Sequence, residues 1–106
     1  MTVESQAQVV DFAYLEGFAA GDRQVVGEVL ALFCQQAEAW AAGLNDSNPD
    51  WRALVHTIKG AARGIGARAL GDVCETAEFG APDDLPPVRA ALAAAVQEIE
   101  AYRARG

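Results

Sequence analysis

The sequence predicts an all-α fold: an antiparallel four-helix bundle with an additional short N-terminal helix. Three observations carry this. Apolar residues recur at three- and four-residue spacing along most of the chain. No β-branched alternating run suggests a strand. Glycine, proline and asparagine breakers divide the chain into five helical stretches joined by short loops. The 106 residues make one domain, residues 1–106.

The first helix is expected over residues 5–20, with Val9, Phe12, Leu15 and Ala19 on one side and Gly21 stopping it. Asp22 then caps the second, residues 23–44, whose stripe is Val26, Val29, Leu30, Phe33, Ala37, Trp40 and Leu44. Residues 45–49 form a loop, in which Ser47 or Asn48 can cap the third helix with Pro49 at its first position. That third helix, residues 50–63, has the core stripe Trp51, Leu54, Ile58 and Ala61, flanked by Val55 and Ala62, and ends at Gly64-Ile65-Gly66. The fourth, residues 67–79, buries Leu70, Val73, Cys74 and Ala77. Residues 80–87 are the longest loop, and the fifth helix, residues 86–104, presents Val88, Leu92, Ala95, Ile99 and Tyr102. That 4-3-4-3 spacing suits a helix packed lengthwise in a bundle, with the first helix across one end.

Composition narrows the function classes. An apolar fraction of 52% argues against disorder, and a net charge of −7 makes nucleic acid a poor partner. No apolar run approaches the ~18 residues of a membrane span. The first residues lack the basic and apolar regions of a secretory signal, so the chain is expected in the cytoplasm. Cys34 and Cys74 both fall at positions expected to be buried, as free thiols often are. The charge is uneven. Residues 51–71 hold Arg52, Lys59, Arg63 and Arg68 and no Asp or Glu, a +4 island that leaves −11 on the rest. Such an island points to one anionic docking surface.

The single histidine, His56, lies in that island. At about 100° per residue it falls nearly opposite the core stripe, and Arg52, Lys59, Gly60 and Arg63 fall within about 60° of it. A core histidine would sit on the stripe. A metal site needs several ligands, and His56 has no second histidine. A hydrolytic triad needs a nucleophile beside an oxyanion hole, and no strand–turn–helix elbow is present. What remains is imidazole as a covalent nucleophile. Free imidazole, with a pKa of ~6.5, is largely neutral at pH 7 and can attack an acyl phosphate. Lys59, at i+3, is placed to attract the phosphoryl charge, at ~1 kcal/mol or less on an exposed face. Gly60, at i+4, costs ~1 kcal/mol against alanine in a helix and leaves a gap through which a partner can approach. A helical adaptor would use the same surface without needing His56. A histidine kinase fragment would need a nucleotide-binding domain, and no glycine-rich nucleotide loop is present.

The stretch His56-Thr57-Ile58-Lys59-Gly60, followed by Gly66-Ala67, Leu70, Cys74 and Glu78, resembles the histidine-containing phosphotransfer (HPt) domain family. That family carries H-x-x-K-G, a short gap, G-A and an apolar residue three positions on. Gly21-Asp22 and the stripe through Phe33 are similar to its first long hairpin, so the resemblance runs from about Phe12 to Ala104. It implies a four-helix bundle carrying a phosphoryl group on His56, within a multistep two-component phosphorelay. The group would come from an aspartyl phosphate on the receiver domain of a hybrid histidine kinase and leave to the Asp of a response-regulator receiver. The chain would then be a monomeric carrier without autokinase activity or a cofactor of its own. The receiver would supply Mg²⁺ and most catalytic groups. Arg52, Gly60 and Arg63 would meet the receiver, and Lys59 would neighbour the phosphate. No carboxylate cluster able to hold a metal is expected beside His56.

Overall fold

The computed structural model describes residues 9–105. They form five α-helices: α1 (Phe12–Phe18), α2 (Arg23–Gly43), α3 (Trp51–Ile65), α4 (Arg68–Glu78) and α5 (Leu85–Arg105), with a 3₁₀ turn (Pro82–Asp84) before the last. No strand occurs among the described residues. The buried apolar residues form one cluster fed by every helix, including Leu15, Leu30, Ile58, Leu70 and Ile99. The helical bundle expected from the sequence is thus present.

The N-terminal helix is shorter than its periodicity suggests. It starts at Phe12, where the Asp11 side chain accepts from Tyr14 N–H at 3.0 Å and caps it. Residues 5–8 of the expected helix lie outside the described residues. Val9 and Val10 are not helical, because their N–H groups are taken by the Glu98 carboxylate of α5, at 2.9 and 2.7 Å. Phe12 also stacks on Tyr102 of α5, with ring centroids 4.1 Å apart. Asp11 N–H donates to Gly66 O at 2.9 Å, which sets the start of α1 against the α3–α4 turn.

Asp22 caps α2 as expected, accepting from Gln24 and Val25 N–H. The buried row of α2 is Val26, Leu30, Phe33, Ala37, Trp40 and Leu44. Val29, expected in that row, is exposed, because it lies about 60° from the centre of the row, beyond its edge. Cys34 is only half-buried, one position past Phe33, whereas Cys74 is buried and its thiol is pushed up to about 11 by that burial.

The entry to α3 also departs from expectation. Asn48 does not cap the helix directly. Its side chain accepts from Asp50 N–H at 3.0 Å, and its carbonyl accepts from Trp51 N–H, so the turn delivers the chain to a helix starting two residues past Pro49. The buried face of α3 is Trp51, Val55, Ile58, Ala62 and Ile65, rotated about 40° from the expected stripe, with Leu54 and Ala61 at its edge. Gly64 does not break the helix, which continues to Ile65.

Gly66 ends α3 in the left-handed region, at φ 84°, and Ala67 N–H closes back on Ala62 O at 2.8 Å. A Cβ at Gly66 would lie 2.8 Å from Asp11 O. Gly66→Ala should therefore combine left-handed strain of ~1 kcal/mol or more with a clash against the α1 anchor. The urea midpoint should fall with an unchanged slope. An unaltered midpoint would show that neither cost is real.

Candidate functional site

The tight turn at Gly66-Ala67 lays α4 back along α3 in a fixed register. Gly71 packs on the stem of Arg63, where an added Cβ would stand 3.1 Å from Arg63 Cγ. Continuing down the hairpin, the last residue of α4, Glu78, comes level with His56 in the second turn of α3. His56 itself points outward, with its side chain 66% exposed.

The Glu78 carboxylate sits between two groups of α3. Its Oε2 is 2.8 Å from His56 Nδ1, and its Oε1 is 2.7 Å from Lys59 Nζ. Lys59 approaches as an ion-pair partner, off the line of a hydrogen bond, and leaves buried Oε1 with no well-aligned donor. Lys59 first, then burial in opposition, then His56 determine the acidity of Glu78, and the balance holds its carboxyl below the ordinary glutamate range. Ionised, Glu78 can only accept, so His56 Nδ1 donates. In the neutral ring the proton is then on Nδ1 and the lone pair on Nε2, which faces solvent.

The cations around His56 are engaged rather than free. Lys59 does not stand open beside the imidazole: its side chain is 14% exposed, paired with Glu78 and lying 5.5 Å from the centre of the Phe79 ring. Arg52 donates to Glu78 O and to Gly80 O, the latter at 3.2 Å, and lies 4.5 Å over the Trp51 ring. It thereby satisfies carbonyls at the end of α4, where a cation is favoured. Arg63 pairs with Glu75 at 2.6 Å, with both side chains about half exposed. Gly60 is exposed, and a Cβ there would meet nothing within 4 Å. The basic island is therefore partly neutralised in space, and a single carboxylate, that of Glu78, stands beside His56. The outer face of α4, with Asp72, Glu75 and Glu78 at three-residue spacing, packs alongside α3. Among the described residues no three of His, Cys, Asp or Glu are grouped as a metal ion requires, and no helix is long and apolar enough to cross a membrane.

Lys59→Ala should raise the titration midpoint of Glu78 toward the ordinary ~4.3. A ¹³C titration of the Glu78 carboxyl checks this, and equal midpoints in both proteins would exclude the pairing. The sign follows from the lowered value. The Glu78 clamp is complete at neutral pH and is lost only as pH falls through that value.

The helical bundle thus presents one exposed histidine, with one ring nitrogen held by Glu78. The Hpt domain family matches residues 28–102, and the chain belongs to that family. Its fold is also that of the histidine phosphotransferase ShpA from Caulobacter crescentus, with a TM-score of 0.82 and 53% identity over 92% of this chain and 93% of that one. Comparison with curated proteins finds no match.

Proposed function

We propose that this histidine phosphotransfer protein carries a phosphoryl group on His56 Nε2 between two receiver domains of a multistep phosphorelay. The observation that carries this reading is the His56–Glu78 contact, which commits Nδ1 and leaves Nε2 exposed. The Nε2 lone pair attacks the phosphorus of an aspartyl phosphate. A nitrogen–phosphorus bond forms, the acyl phosphate P–O bond breaks, and the carboxylate leaves with the electron pair. Glu78 stabilises the positive charge that develops on the ring, through the Nδ1 proton. The return step to the second receiver is the same reaction reversed. Mg²⁺ and the acidic residues around the phosphoryl group belong to the receivers. Gly60 provides the open approach, while the exposed parts of Arg52 and Arg63 flank it and meet the receiver's acidic rim. Lys59 acts mainly through Glu78, to which it is paired, so its removal shifts the transfer equilibrium modestly, and less so as salt rises.

Incubation with a receiver phosphorylated by a small acyl phosphate tests this. Acid-labile, alkali-stable label should move to this chain and then to a second receiver, and ATP alone should give none. No label from any of a panel of receivers, or label from ATP alone, would overturn the assignment. Binding without label would favour the adaptor.

A further inference from the structure

The Glu78 carboxylate is held more firmly than the nucleophile requires. Its backbone carbonyl accepts from Arg52, its Oε1 is paired with Lys59 and its Oε2 is on the ring of His56. The side chain is 14% exposed against 66% for His56. The carboxylate is thus fixed from both ends on the ring nitrogen remote from the reacting one. Nothing in this arrangement depends on the phosphoryl group being absent, because the group attaches to Nε2, on the solvent side.

We propose that Glu78 is a positioning residue that keeps the proton on His56 Nδ1 in the phosphorylated state and thereby sets how readily the phosphoryl group is surrendered. The inference rests on His56 being the carrier. When the nitrogen–phosphorus bond breaks, its electron pair returns to Nε2, and the phosphoryl group passes to a carboxylate or water oxygen. If Nδ1 carries a proton, the leaving group is neutral imidazole. If Nδ1 is bare, the leaving group is an imidazolate anion, which departs far less easily. A carboxylate that accepts from Nδ1–H favours the protonated ring and so the labile form. Lys59 opposes it by neutralising the other oxygen. The charged and titratable groups around the pair are Arg52, Lys59 and Arg63 on α3 and Cys74 and Glu75 on α4. Of these only Lys59 is in direct contact with the carboxylate. The site therefore balances a proton-holding carboxylate against one ammonium, and the balance fixes the lifetime of the carrier state.

Two variants move that balance in opposite directions. Glu78→Gln keeps the size and an acceptor oxygen but removes the charge. Lys59→Met leaves the carboxylate unneutralised. Each protein is labelled by a phosphorylated receiver, freed of receiver and of divalent metal, and followed by ³¹P NMR across a pH series. The Glu78→Gln phosphohistidine should outlive the wild type by about fivefold at neutral pH, the size expected of one partly screened charge. The midpoint of its acid-labile transition should move to lower pH. Lys59→Met should shorten the lifetime and move the midpoint up. A merely structural pair would shift both variants the same way, since both break it, and that result would overturn the proposal. So would decay of Glu78→Gln at the wild-type rate. If Glu78→Gln fails to fold, as circular dichroism would show, the sign of the Lys59→Met shift decides. Wild type that takes up no label would sink the carrier reading itself, whereas label with identical decay in all three proteins would sink this inference alone.

Discussion

His56→Gln should take up no phosphoryl label and keep the helix content of the wild type. The side chain is 66% exposed and lies across α3 from the buried Val55, Ile58 and Ala62. Its removal therefore opens no cavity. The substitution takes away the ring N–H that donates to Glu78 Oε2, and the amide N–H of glutamine can replace it. What glutamine cannot supply is a lone pair able to form a stable bond to phosphorus. The expected effect is all-or-none, with receiver-derived label below detection and an unchanged circular dichroism spectrum. Label on the variant would place the acceptor elsewhere, and there is no second histidine in the chain to receive it.

The helices and the exposed histidine were legible because both depend on position along one helix. The row Val26, Leu30, Phe33, Ala37, Trp40 repeats at the helical period, and Asp22 stands where a cap must. His56 falls off the apolar face by the same arithmetic. What was not legible lies between elements. The Glu98 carboxylate that takes the N–H groups of Val9 and Val10 is far away in sequence and shortens the first helix. Glu78 carries no periodic signal that ties it to His56, although the family pattern includes it. The signal was in the register: with a glycine turn at Gly66, a short fourth helix must end level with the start of the third. Counting charge along the chain instead of across the hairpin made the basic island look unopposed. Arg52 shows the same limit, since a cation on the outer face of α3 serves the carbonyls at the end of α4.

Gly60→Glu should keep the fold and lose transfer, which separates a site built for a partner's approach from a histidine that is only exposed. Gly60 is within α3, one turn beyond His56, and an added Cβ meets nothing within 4 Å. Replacing glycine with a good helix former at such a position removes a cost of up to ~1 kcal/mol, so Gly60→Ala should raise the unfolding midpoint slightly and leave transfer largely intact. Glutamate has similar helix propensity, and stability should hold there too. Its side chain, however, leans toward the turn before it, over the space beside the imidazole. It adds bulk where the aspartyl phosphate must come within bonding distance of Nε2. It also adds a negative charge facing an incoming phosphoryl group. Lys59 cannot offset that charge without leaving Glu78, to which it is already paired at 2.7 Å. Urea unfolding and label transfer on the same samples test both halves. Normal transfer by Gly60→Glu would mean that receivers do not approach over this turn. Loss of stability in Gly60→Ala would mean that the glycine serves backbone geometry, a result that the helical setting and open space around it argue against.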